Sequence, residues 1–186
     1  MSPSEKPYLQ TGVFTLAKNR IVWLLLLMVS ATISGGILAK YEAAFAAYPL
    51  LVTFIPMLSD TGGNAGSQTS TLIIRGMALD EIKFSDFFKV FFKEFRVSII
   101  AGATLAVVNF ARIMIFNPGN ILIAAIVSIS LVFTVMLSKL IAVIMPMLAK
   151  RLGLDPAIMA APLITTVVDA LSLVVYFGVA KEFLVF

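Results

Sequence analysis

Residues 121–149 read ILIAAIVSISLVFTVMLSKLIAVIMPMLA, a run whose only charge is Lys139. About 20 apolar residues suffice to cross the hydrocarbon core of a bilayer. Inside hydrocarbon a lone segment can satisfy its backbone N–H and C=O groups only as a helix. The run therefore predicts a membrane-spanning helix. The rest of the chain agrees: 60% of residues are hydrophobic and 13% charged, with a mean hydropathy of +1.03. A soluble domain is roughly half apolar and about a quarter charged. Four further spans are expected, at 21–39, 43–74, 97–116 and 156–180. The first is entered behind Lys18 and Arg20 and left at Lys40-Tyr41-Glu42, and Arg75 closes the second. The third carries Arg112 near its far end, and Asn117-Pro118-Gly119-Asn120 is a turn signal that separates it from the fourth. The expected architecture is an all-α membrane protein with five transmembrane helices. A short N-terminal segment (1–20) precedes one membrane domain (21–186). No cleavable signal peptide is expected, because the first apolar run ends without a small-x-small site.

Basic residues sort by side. With a cytoplasmic N-terminus, the inner side carries Lys6, Lys18, Arg20, Arg75, Lys83, Lys89, Lys93, Arg96, Lys150 and Arg151, and the outer side Lys40, Arg112 and Lys181. This asymmetry predicts a multi-pass protein of the inner (plasma) membrane with its C-terminus outside. It also accounts for the net charge of +4 without a nucleic-acid partner. Between the second and third spans, Phe84, Phe87, Phe88, Phe91, Phe92 and Phe95 share one helical face. Lys83, Asp86, Lys89, Lys93 and Arg96 mostly occupy the other. An amphipathic helix lying on the cytoplasmic surface is expected there, anchoring the third span or docking a partner.

The chain has neither cysteine nor histidine. Disulfides, thiolate sites and imidazole ligands are therefore excluded, and a bound metal must meet oxygen, which favours hard divalent cations. Asp169 is the sharpest candidate. A carboxylate at the centre of a span costs about 2.5–3.5 kcal/mol on insertion scales and usually faces a wet cavity or a partner. Asp155 suits an N-cap with Pro156 at the first helical position. About 14 residues at roughly 1.5 Å each then set Asp169 about 21 Å deeper, near mid-span. Thr165 lies one turn earlier, and Pro162 frees the carbonyl of Ile158 to line a cavity. The alternative is an ion pair between Asp169 and Lys139. The second constellation is Asp60-Thr61-Gly62-Gly63-Asn64-Ala65-Gly66-Ser67-Gln68 within the second span. It is expected to loosen that helix and to present polar groups to an ion. Small residues at spacing four also suit close helix packing. Asp60 could instead neutralise Lys139.

Arg20-Ile21-Val22-Trp23-Leu24, the segment Pro56 to Gln68, Leu72-Ile73-Ile74-Arg75-Gly76 and Gly153-Leu154-Asp155-Pro156-Ala157…Thr165-Thr166-Val167-Val168-Asp169 together resemble the membrane domain of MgtE-type magnesium transporters, in order and over nearly the whole chain. The resemblance implies a homodimer in the lipid bilayer, with one pore on the two-fold axis between the second and fifth helices. It implies metal contacts from Asp169, Asp155 and the Thr165 carbonyl, and a pore wall including Gly62, Gly63, Asn64, Gln68 and Thr166. Ala161 departs from the small polar or glycine residue found there in many members. The N-terminal and CBS domains that sense Mg²⁺ in typical members have no counterpart here, so weak regulation by cytoplasmic Mg²⁺ is expected.

The function expected on these grounds is passive, potential-driven Mg²⁺ uptake with no cofactor, the ion held largely through its water shell. Mn²⁺, Co²⁺ or Ca²⁺ would meet the same oxygen ligands. A reading from another class is an intramembrane aspartyl protease, since Asp60-Thr61-Gly62 reproduces an aspartic-protease motif and Asp169 could be its second carboxylate.

Overall fold

The computed structural model of the chain describes residues 8–156 and 161–184. These fold into helices α1 (Val13–Lys40), α2 (Glu42–Ala47), α3 (Ile55–Ala78), α4 (Phe87–Phe116), α5 (Ile121–Arg151) and α6 (Ala161–Phe183). Five of them are long. Four, those at Val13–Lys40, Phe84–Phe116, Ile121–Arg151 and Pro162–Phe183, are long and apolar enough to cross a membrane. The remaining long helix, α3, spans 24 residues but carries the polar, glycine-rich stretch.

Helix α5 is the hub. It packs against α3, α4 and α6, while α3 and α6 also pack on each other and α1 leans on α6. The burial pattern follows. Ile126, Val127, Val135, Val143 and Met147 on α5 are fully or almost fully buried. By contrast Leu24, Leu25, Met28 and Val29 of α1 are at least half exposed. With 31 residues, α5 is about 46 Å long, so it tilts or projects beyond a hydrocarbon core of about 30 Å.

Two sequence expectations are corrected. The aromatic segment 84–95 is not a separate surface helix. A single turn at Phe84–Asp86 leads directly into α4, which runs unbroken through to Phe116. Its inner edge is occupied: Phe87 and Val90 pack against the buried cluster of Ile73, Met77, Val143 and Met147, leaving Phe88 and Phe92 outward. Burial of that edge favours one continuous rod over an interfacial bend. Nor does the glycine-rich stretch loosen the second span. The interruption lies earlier, where α2 ends at Ala47 and a 3₁₀ segment (Pro49–Phe54) feeds α3. Tyr176 Oη donates to the Leu51 carbonyl at 2.9 Å, and Tyr41 stacks on Phe177 with ring centroids 4.4 Å apart, which pins this segment to α6. The first turn of the expected fifth span, with the Ile158 carbonyl, falls on residues 157–160, outside the described residues.

Glycines keep α3 helical by letting it approach its neighbours. A Cβ at Gly62 would stand 2.7 Å from Thr134 Cγ2 and 2.8 Å from Val168 Cγ1. At Gly66 it would meet Ser138 Oγ at 2.6 Å and Ile164 Cγ2 at 2.9 Å. Ser138 Oγ also donates to the Gly62 carbonyl, an interhelical bond possible only at this approach. Glycine's penalty of about 1 kcal/mol in a helix is offset by close packing in a setting where the backbone has no water to turn to. Gly62→Leu and Gly66→Leu are therefore expected to lower stability by about 1–3 kcal/mol each through overpacking. Gly36→Ala, where a Cβ meets nothing within 4 Å, is expected to be neutral or slightly stabilising. Thermal melting of the purified protein in detergent checks the contrast.

Candidate functional site

Asp169 sits on α6, about 12 Å along the helix from its first residue, and is half-buried. It lines a cavity of about 520 Å³ between α1, α3 and α6. Thr166, one turn before it, Ser59 of α3 and Ser34 of α1 supply the other polar groups. The rest of the wall is apolar, including Leu24, Leu27, Met28 and Leu173. Ser34 Oγ is buried with no hydrogen-bond partner among the described residues. The Thr165 and Thr166 hydroxyls both donate back to the Pro162 carbonyl, at 3.0 and 2.7 Å, so neither points a free proton at the carboxylate. The carbonyl of Thr165 receives the Asp169 N–H in the helix ladder and keeps a second lone pair. Among the described residues Asp169 has no ion-pair partner.

Lys139 is paired elsewhere. Its Nζ lies 3.7 Å from Glu94 Oε2 of α4 and donates to Thr69 Oγ1 of α3 at 3.0 Å, while Thr69 Oγ1 donates to Glu94 Oε2 at 3.1 Å. This overturns both pairings weighed from the sequence, Lys139 with Asp169 and Lys139 with Asp60. Helix phase explains it: Glu94 lies four residues after Val90 and four before the buried Ser98, on the edge of α4 that faces α3 and α5. That phase, beside a lysine embedded in an apolar run, is the signal sequence reading passed over.

The expected site residues divide between two faces of α3. Asp60, Thr61, Asn64 and Gln68 line a second cavity of about 200 Å³, with Ala101 and Leu105 of α4 and Val135 and Lys139 of α5. Asp169 and Thr166 line the first. Gly62 and Gly63 are buried between, Gly63 facing Thr165 Cγ2, which would stand 3.1 Å from an added Cβ. Asp155 is exposed in the connection from α5 to α6 and does not line the Asp169 cavity. Within the chain the structure thus brings Asp169 and Thr166 together, sets Thr165 one turn away, and keeps Asn64 and Gln68 apart from them. Sequence reading missed Ser34, Ser59 and Glu94. The first two are small residues that only the packing of α1 and α3 against α6 makes relevant. The protease geometry is absent as well: Asp60-Thr61-Gly62 lies inside a continuous α-helix, and its carboxylate lines a different cavity from Asp169.

Similarity to known proteins runs along the same residues. A family profile described as "MgtE: Divalent cation transporter" matches residues 55–179, from the first residue of α3 into the last turn of α6. The magnesium transporter MgtE of Bacillus subtilis (strain 168) is 37% identical over 94% of this chain. That of Thermus thermophilus is 34% identical over 94%, and that of Enterococcus faecalis (strain ATCC 700802 / V583) 26% identical over 90%. The chain spans 37–38% of the length of these relatives. It belongs to the MgtE family of divalent cation transporters.

Proposed function

We propose that the chain conducts Mg²⁺ across the membrane as a homodimer, with Asp169 as the ion-binding carboxylate at mid-span. The observation that carries this reading is a half-buried carboxylate in a spanning helix that has no ion-pair partner among the described residues and faces a cavity with Thr166, Ser59 and Ser34. Such a group is expensive in hydrocarbon unless water or a cation reaches it. The names of the relatives supply the choice of Mg²⁺.

Each protomer brings a single carboxylate to this cavity, so two copies related by a two-fold axis would face two Asp169 side chains toward one another. Their repulsion is relieved by a divalent cation, and the same field rejects anions. Mg²⁺ dehydrates reluctantly and prefers octahedral oxygen coordination at about 2.0–2.1 Å. The carboxylates therefore accept hydrogen bonds from its bound waters, and the remaining water protons go to carbonyls such as that of Thr165. Asn64 and Gln68 would supply a second polar stretch of the path, in the neighbouring cavity on the other face of α3, with Gly62 and Gly63 packed between the two, and Asp155 would gather cations near its inner mouth. With the N-terminus inside, the membrane potential drives uptake; each elementary charge gains about 2.3 kcal/mol per 100 mV, and a divalent ion twice that.

Two measurements test this. Asp169→Asn keeps the side-chain shape but removes the charge. It is expected to reduce Mg²⁺ flux in proteoliposomes about tenfold or more with the melting temperature preserved; unchanged flux in a correctly inserted protein would sink the assignment. Competition among Mg²⁺, Mn²⁺, Co²⁺ and Ca²⁺ in the same vesicles reports selectivity. Mg²⁺ is expected to win over Ca²⁺, whose looser, larger shell fits a cavity shaped for the hexahydrate less well. A preference for Ca²⁺ or Mn²⁺ would reassign the cargo.

A further inference from the structure

The buried charge pair of α4 and α5 is not used by the mechanism above. Lys139 is 8% exposed, at a depth where an unpaired ammonium is costly. Its only anionic contact among the described residues is Glu94. Thr69 bridges the two, donating to the carboxylate and accepting from the ammonium. What distinguishes the pair from a simple clamp is its position. Lys139 forms part of the wall of the cavity that also holds Asp60, Asn64 and Gln68, the polar edge of α3 assigned above to the ion path. A positive charge in that wall opposes a cation, and in a low-dielectric setting little screens it.

We propose that Glu94 is the counter-ion that cancels Lys139 beside the ion path, making it a positioning residue for cation conduction although it contacts no ion. It acts through Lys139, placing a negative charge 3.7 Å from the ammonium that forms part of the cavity wall. The inference rests on the reading that α3 borders the path, and it assigns a role to a pair that neither the family resemblance nor the Asp169 site requires.

The sign of each substitution follows from charge alone. Glu94→Gln is nearly isosteric and keeps an acceptor for Thr69, yet leaves Lys139 uncompensated. Mg²⁺ flux per folded protein is expected to fall about tenfold, with a lowered melting temperature because the buried ammonium loses its counter-ion. Lys139→Met removes the repelling charge and is expected to leave flux at or above the wild-type level. The double variant Glu94→Gln/Lys139→Met is expected to recover at least half of wild-type flux. A clamp with no electrostatic role predicts the reverse, with Lys139→Met and the double variant as impaired as Glu94→Gln. Each variant is measured in proteoliposomes as Mg²⁺ flux per folded protein, beside its melting temperature. Full flux in Glu94→Gln, or loss of flux in folded Lys139→Met, overturns the proposal. If Glu94→Gln does not fold, the flux of Lys139→Met and of the double variant decides. Asp169→Asn in the same series separates the two readings: if it conducts normally, the pore assignment fails, whereas if it is inactive and Glu94→Gln is fully active, only the counter-ion role fails.

Discussion

The structure depends on how closely the backbone of α3 lies against α5 and α6. At Gly62 and Gly66 the neighbouring atoms stand where a Cβ would be, within 2.6–2.9 Å. There is no hydrophobic driving force between helices in lipid, so tight van der Waals packing and interhelical hydrogen bonds must hold the bundle. Small residues are what permit both. The Ser138 to Gly62 bond and the packing of Thr165 over Gly63 exist because no side chain intervenes. The same approach fixes the phase of α3, and that phase decides which of its polar residues face which cavity.

The charged groups around this contact are mostly matched. Lys139, the lysine of the longest apolar run, is matched by Glu94 and Thr69. At one end of the bundle Lys150 donates to the Met77 carbonyl at 2.8 Å, and Arg151 lies over the Phe84 ring at 4.6 Å, both joining the end of α5 to neighbouring segments. At the other end Arg112 Nη2 lies 2.9 Å from its own-helix acceptor Asn109 Oδ1. Asp169 departs from this pattern: among the described residues it is a spanning-helix carboxylate with no cationic partner. That contrast, more than the carboxylate alone, is what marks it as the place for an external ion.

Much of this was legible in the residues. The long apolar runs place α1, α5 and most of α4 and α6, since a 3.6-residue helix in hydrocarbon has few alternatives. Asp169 was legible for the same reason: a single acid in an apolar helix needs an explanation. The glycine stretch was legible as important, and of its two expected consequences the close packing is found while the loosening of the helix is not. Glycine weakens a helix in water, whereas here the surrounding helices supply more contact than the flexibility costs. Tertiary packing also explains the misread aromatic segment. A stripe of phenylalanines has the pattern of a surface helix until Phe87 and Val90 are seen to pack on Met77 and Met147. The partner of Lys139 was hidden because the two acids weighed for it, Asp169 and Asp60, lie in expected spans, whereas Glu94 lies in the segment read as a surface helix. Only the phase of α4 against α5 selects Glu94.

The central claim is that a hydrated divalent cation is held by Asp169 carboxylates. Its most direct test is the anomalous signal of Mn²⁺ in crystals of the protein grown with that ion in place of Mg²⁺. The account predicts one strong peak on the two-fold axis between paired Asp169 side chains, about 4 Å from the carboxylate oxygens, the distance of contact through a bound water. A peak bound elsewhere with none at Asp169, or a protein without a two-fold axis through that cavity, would contradict it.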